Sequence, residues 1–118
     1  MQGNPRQIFV PYNGKIADIT EADTNKHTLE LANAAGTGAI AGETRKIVAV
    51  NLSSTRIAGT GYFHLYPNEG THYLELGSWN TYPRGYYAIA NGTQRIQYSL
   101  TDANDDYDIY CFGYVVEA

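Results

Sequence analysis

Short apolar runs separated by turn-forming residues recur along this chain from residue 45 onward, at intervals of about ten residues. Alternation of apolar and polar positions within several runs places the two sets of side chains on opposite faces of a β-strand. The pattern predicts about eight strands, over residues 7–10, 28–31, 46–53, 62–66, 73–76, 86–90, 94–100 and 109–116. We therefore expect an all-β fold, a single antiparallel and jelly-roll-like β-sandwich domain that spans residues 1–118.

The N-terminal part of the chain fits this pattern less well. Residues 1–12, in which two prolines bracket QIFV, are predicted to form an extended arm that either closes the sandwich or reaches another subunit. Residues 21–35 could be drawn as a helix, but Thr24 and Asn25 are weak helix formers and TLEL alternates, which favours a short strand. Residues 32–42 are mostly small, so we expect them to cross the surface or thread against a neighbour rather than build core.

The last run, DIYCFGYVVEA, is apolar on both of its faces. Strict alternation puts Ile109, Cys111, Gly113 and Val115 on one side and Tyr110, Phe112, Tyr114 and Val116 on the other. A half-buried antiparallel strand normally has one polar face. One side should therefore pack into the core while the other is covered by a second protein surface or by the N-terminal arm. The predicted protein interface consists of Tyr110, Phe112, Tyr114, Ile8 and Phe9.

The composition supports a β protein and argues against nucleic-acid binding. Tyr occurs 11 times and Gly 12 times, and charged residues make up only 17% of the chain. The net charge is −4, and the half after Ala58 is acidic, whereas a nucleic-acid-binding protein needs a cationic surface. The one cysteine, Cys111, lies in an apolar strand and is expected to be a small buried residue.

No apolar segment near the N-terminus follows a positive charge, and no run approaches the roughly 20 apolar residues of a membrane span. We therefore expect a soluble chain without an export signal and without a membrane partner. It could nevertheless be a fragment of a longer secreted protein.

The candidate catalytic and metal-binding residues do not form a recognised motif. His64 and His72 could meet across a hairpin and bind zinc with Glu69 or Glu75, but HxH and HExxH spacings are missing. The run TDANDDYD resembles a calcium loop only in its alternating acidic positions, without the required glycine and final carboxylate. The sequence also contains no GxSxG. We expect no catalytic residues, no metal and no cofactor.

An aromatic group around a Pro-Arg-Gly turn is the more informative signal. It comprises Trp79, Tyr82, Tyr86 and Tyr87. Flat rings with a polar tip suit sugar stacking or a protein contact, and they also suit a plug at one end of a sandwich.

From residue 47 onward, several short stretches follow a familiar order: IVAVNLSST, GTGYFHLYP, SWN, YAIANGTQRIQYSL and IYCFGYVVE. This order resembles accessory β-sandwich modules of bacterial secreted and surface proteins, which share a G-x-G-Y, Y-P, A-N and G-Y-V/F pattern. The positions that carry the resemblance are Val50, Leu52, Gly61, Tyr62, Tyr66, Pro67, Asn80, Ala90, Asn91, Gly113 and Tyr114. The resemblance implies a non-catalytic accessory sandwich and brings no ligand with it. In build, the chain also resembles small decoration or fibre-type proteins of phage virions.

Two hypotheses follow. The first is a non-enzymatic structural protein of a phage virion, a capsid decoration or fibre-type component that forms homo-oligomers or contacts other virion proteins. The alternative is a carbohydrate- or cell-surface-binding module of a secreted bacterial protein, located outside the cell or at its surface, which would bind surface glycans through the aromatic group.

Overall fold

The computed structural model of the protein describes residues 6–76, 87–89 and 93–118. Within those residues the chain forms nine β-strands and a single turn of 3-10 helix. The strands are β1 (Gln7–Val10), β2 (Gly14–Thr20), β3 (His27–Glu30), β4 (Ile47–Ala58), β5 (Phe63–Tyr66), β6 (Leu74–Leu76), β7 (Tyr87–Ala88), β8 (Arg95–Leu100) and β9 (Asp106–Glu117), and the 3-10 turn is Pro67–Glu69.

The strands form two antiparallel sheets with jelly-roll connectivity. In the first sheet, β9 lies between β4 on one side and both β1 and β2 on the other, with β7 beyond β4; the second sheet has the order β3-β8-β5-β6. The pairs β5–β6, β4–β7, β3–β8 and β2–β9 are those of one long hairpin that folds over on itself. This pairing defines a jelly roll. The predicted all-β, jelly-roll-like sandwich is therefore confirmed.

The core is built by alternating side chains of the two sheets. On β5, Phe63 and Leu65 are fully buried while His64 and Tyr66 face outward, and on β8 the residues Ile96 and Tyr98 are buried in the same way. The Phe63 and Tyr98 rings stack with centroids 5.3 Å apart. Because burial of such side chains is worth about 1.5 to 3 kcal/mol each, this alternation fixes the strand register.

The strand β2 and the start of β9 differ from the sequence prediction, whereas β3 agrees with it. β2 was not predicted, because its apolar residues Ile16 and Ile19 are three positions apart and do not show a two-residue period. The strand accommodates this spacing through a bulge at Ile16. β9 begins at Asp106, so part of the acidic run belongs to a strand rather than to a loop. Residues 27–30 form a strand, as favoured over the helical alternative.

The segment of small residues packs more closely than expected. It folds back along the end of β3, where the Ile40 N–H donates to the Leu31 carbonyl at 2.9 Å. A Cβ at Gly38 would lie 2.5 Å from the Leu31 carbonyl oxygen, so glycine permits this close approach. Ile40 is 1% exposed and belongs to the core. The expectation that this segment adds nothing to the core was wrong, although it does thread against a neighbour.

A bulge in β9 changes which side chains face the core. Val50 and Leu52 of β4 oppose Tyr114 and Cys111, so two steps along β4 match three steps along β9. The additional residue lies next to Gly113, whose φ of 121° is open mainly to glycine. Beyond this point the two faces exchange their residues, and Tyr114 and Val116 are 4% and 0% exposed. The predicted strict alternation through residue 116 is therefore wrong.

We expect the substitution Gly113→Ala to destabilise the fold by about 1 to 3 kcal/mol, because alanine is strained at this φ. Urea denaturation of the two proteins measures the difference. Gly70→Ala is a matched control, since Gly70 has a φ of −79° that alanine adopts freely. Equal losses in both variants would contradict the assigned role of the bulge.

Candidate functional site

The outer face of the first sheet carries two of the predicted interface rings. Tyr110 and Phe112 are both half-buried, and their ring centroids lie 6.5 Å apart with an interplanar angle of 22°. Tyr110 lies between Lys15 of β2 and Ser53 of β4 in the sheet register. Ser53, Thr55 and the two rings line a shallow pocket of about 310 Å³. The face therefore combines aromatic surface with hydroxyl groups.

The two candidate residues of the N-terminal arm face opposite ways. Phe9 pairs with Val115, and its side chain is 52% exposed on the same outer face as Phe112. Ile8 pairs with Val116 and packs against the core, so it is not part of the outer face. β1 joins the edge of β9 within the same chain, beside Tyr114 and its neighbours. Residues 7–10 therefore extend the sheet and do not lie across the rings of Tyr110 and Phe112. This differs from the alternative in which the N-terminal arm covers those rings.

Tyr114 lies in the core and not with the other rings, because the bulge at Gly113 turns it inward. It is 4% exposed, and its hydroxyl donates to Glu43 Oε1 at 2.7 Å. Its ring lies 6.2 Å from that of Tyr12. Burial, reinforced by the Glu43 carboxylate, raises the pKa of Tyr114. The inclusion of Tyr114 and Ile8 in the predicted interface is corrected on these grounds.

The acceptor of the Tyr114 hydroxyl is a buried carboxylate. Glu43 also accepts hydrogen bonds from the Arg45 backbone N–H at 2.8 Å, from Arg45 Nε at 3.0 Å and from Arg45 Nη2 at 2.8 Å. The Arg45 guanidinium is the main reason why the pKa of Glu43 falls from 4.5 to about 2, against the opposing effect of burial. Arg45 neutralises the charge of the Glu43 carboxylate, which can therefore stay buried and hold the Tyr114 hydroxyl near the C-terminal end of β9.

The same outer face is charged at its other end. Lys15 Nζ lies 3.0 Å from Asp18 Oδ1 and 3.9 Å from Asp108 Oδ1. Burial raises the pKa of Asp108, whereas a hydrogen bond with Asp108 lowers that of Asp18. Because exposed pairs contribute little to stability, this group mainly marks where the apolar part of the face ends.

The acidic loop before β9 serves as a hydrogen-bond acceptor for a glycine turn. Asp105 is 5% exposed, and its Oδ2 accepts the Gly61 N–H at 2.7 Å. Asp102 Oδ2 accepts the Thr60 hydroxyl at 3.0 Å. A Cβ at Gly59 would lie 1.9 Å from Asp105 Oδ1, which explains the glycine there. The GTGY stretch is therefore shaped by this carboxylate.

Two of the three histidines lie within hydrogen-bond distance of a carboxylate. His64 Nε2 lies 3.1 Å from Glu75 Oε2, and His27 Nε2 lies 2.7 Å from Asp23 Oδ1. His72 is exposed. Among residues 6–76, 87–89 and 93–118, no group of three or more potential metal ligands comes together.

The aromatic group predicted as an alternative ligand site lies outside the described residues. This applies to Trp79, Tyr82 and Tyr86. Only the backbone of Tyr87 is described, and this residue of β7 pairs with Val50 of β4. The hypothesis of sugar or protein contact through these four residues stays a prediction.

The outer face of the second sheet holds an aromatic cluster that sequence reasoning missed. The rings of His64 and Tyr73 stack with centroids 3.9 Å apart and an interplanar angle of 15°, and the Tyr66 ring meets Tyr73 edge-on at 5.8 Å. Lys26 Nζ lies 4.4 Å above the Tyr66 ring. We refer to His64, Tyr66 and Tyr73 as the second-sheet cluster. The alternation of His64 and Tyr66 was visible in the sequence, but Tyr73 joins them only through the β5–β6 register.

Taken together, the fold defines a jelly-roll β-sandwich whose two outer faces each carry aromatic side chains. Comparisons with protein-family models, with curated proteins and with solved structures gave no match. The resemblance to accessory sandwich modules stays a prediction. In the part of the chain that the structure describes, no helix has the length and apolar character needed to span a membrane.

We expect protein stability to fall in acid partly through Glu43. Its carboxyl binds a proton near pH 4.5 in the unfolded chain but only near pH 2 in the folded protein, so its contribution is complete above about pH 4.5 and is lost as the pH falls towards 2. That contribution is at most about 3 kcal/mol. Glu43→Gln should reduce stability at neutral pH and flatten the acid dependence measured by urea denaturation. The exposed Glu30→Gln serves as control, and an unchanged slope in Glu43→Gln contradicts this assignment.

Proposed function

We propose that this protein is a non-enzymatic structural protein that assembles through the outer face of its first sheet. One observation carries the proposal: Phe9, Val115, Phe112 and Tyr110 follow one another along that face, where an antiparallel sheet normally presents polar side chains to water. Contact with a second copy would remove the remaining exposed apolar surface from water. A run of apolar side chains that is partly exposed on an outer face is typical of protein interaction sites.

The geometry of the face fits self-association. Its apolar part is bordered by the Lys15–Asp18 ion pair, and the hydroxyl groups of Ser53 and Thr55 lie beside the rings. A core of aromatic side chains with a polar border is the usual arrangement at a protein interface. Symmetric dimers are the commonest form of assembly in soluble proteins, and one such patch on each copy suffices for them.

The place of action that we propose is the phage virion, as a capsid decoration or fibre-type component. The support is an analogy of fold, since jelly rolls recur in viral capsid proteins, and a fold by itself does not determine function. The same analogy supports the alternative, a carbohydrate- or cell-surface-binding module of a secreted bacterial protein, because lectin domains share the topology. The second-sheet cluster is the specific observation that favours this alternative.

Sedimentation of the purified protein at micromolar concentration tests the assembly proposal. The native protein is expected to form an oligomer, and the double substitution Tyr110→Ser and Phe112→Ser should weaken its self-association by at least about tenfold, which corresponds to about 1.4 kcal/mol. Tyr62→Ser is the matched control, because Tyr62 is 45% exposed but lies outside this face.

Circular dichroism of each variant separates loss of assembly from loss of folding. A native protein that sediments as a monomer overturns the proposal. So does a folded double variant that self-associates as strongly as the native protein.

A further inference from the structure

The second-sheet cluster presents one aromatic ring face to solvent in a fixed orientation. His64 covers one face of the Tyr73 ring at 3.9 Å, and Tyr73 is nevertheless 49% exposed. The ring of His64 is itself held by Glu75, and the Tyr66 hydroxyl is hydrogen-bonded to Ser99 Oγ at 2.9 Å. The exposed face of Tyr73 is therefore a rigid platform, and little side-chain freedom is lost when a ligand stacks on it.

Polar side chains lie on the strands on both sides of the second-sheet cluster. Glu75 of β6 lies beside His64, Gln97 of β8 lies beside Tyr66, and Thr28 of β3 lies beside Gln97. The side chain of Glu75 is 53% exposed. Leu74, the neighbouring exposed apolar residue, alternates to the opposite face of β6. A ligand with one apolar face and hydrogen-bonding edges therefore matches this combination of aromatic rings and polar side chains.

The basic side chains near the platform are already engaged. Lys26 donates to the Gly70 carbonyl at 3.1 Å and lies over the Tyr66 ring, and Arg95 forms an ion pair with Glu69. The carboxylate of Glu75 adds negative charge beside the ring. These charges disfavour an anionic ligand.

From this arrangement we propose that the second-sheet cluster binds a neutral oligosaccharide. One face of a pyranose ring is lined with C–H groups and stacks on Tyr73, as an apolar surface does on an aromatic ring. The hydroxyl groups at the edge of the sugar then meet the carboxylate of Glu75 and the amide of Gln97, which accept and donate hydrogen bonds. The site is on the other sheet from the proposed assembly face, so either proposal can fail without the other.

Isothermal titration of the full chain with cellohexaose, maltohexaose, chitohexaose and, as an anionic probe, hexagalacturonate tests this site. At least one neutral hexasaccharide is expected to bind. Tyr73→Ala should weaken that binding by about tenfold or more, while Tyr73→Phe, which keeps the ring, retains it. Phe9→Ala, at an exposed aromatic residue of the other sheet, leaves it unchanged. Thermal unfolding of each variant verifies that it is folded, which we expect because Tyr73 is half exposed.

Four results overturn the proposal. The first is that none of the neutral probes binds, and the second is that hexagalacturonate alone binds. The third is that Tyr73→Ala binds as tightly as the native protein. The fourth is that Tyr73→Ala loses self-association while neither protein binds a sugar. The last result would assign the second-sheet cluster to a contact between copies of the chain.

Discussion

β9 pairs with β4 along most of its length and with β1 and β2 along its other edge, so the direction of its side chains determines what the sandwich can enclose. The bulge at Gly113 divides this strand into two halves of opposite phase. In the first half Ile109 and Cys111 fill the core, and in the second half Tyr114 and Val116 do so. The phase change leaves Phe112 and Tyr110 on the outside, and it brings the Tyr114 hydroxyl to the buried carboxylate of Glu43. The core and the proposed assembly face thus depend on one additional residue.

Much of the fold could be predicted because the hydrophobic alternation is a direct consequence of burial. FHLY and RIQYSL alternate as core strands should, and both form strands at the predicted places. Bulges are the main source of error, because an inserted residue carries no compositional signal. The bulge at Ile16 interrupts the alternation, so β2 was not recognised. The bulge at Gly113 could not be recognised itself, because a strand that is apolar on both faces has the same pattern before and after a change of phase.

The candidate sites were predictable only in part, for a related reason. Tyr110 and Phe112 share the outer face because they lie two residues apart before the bulge in β9. Phe9 joins this face because it pairs with Val115, which points outward after the bulge. Tyr114 was assigned to the wrong side because the alternation was continued past the bulge. Ile8 was included together with Phe9, although adjacent residues of a strand face opposite ways. The second-sheet cluster depends on Tyr73 meeting His64 across the β5–β6 hairpin, which requires a register that sequence alone does not provide. The role of Asp105 as the acceptor for Gly61 likewise joins loops 44 residues apart.

The long-range pairing of β4 with β9 also bears on how the chain acquires its structure. Residues 47–58 pair mainly with residues 106–117, with a short second pairing of Ala49 and Val50 to β7, and β2 pairs with β9 as well. Contacts of such sequence separation slow folding, because a long loop has to close before they form. During synthesis, one edge of β4 and the pairing edge of β2 therefore have no partner until β9 has left the ribosome, and we expect the nascent chain to be exposed to misassociation throughout that interval.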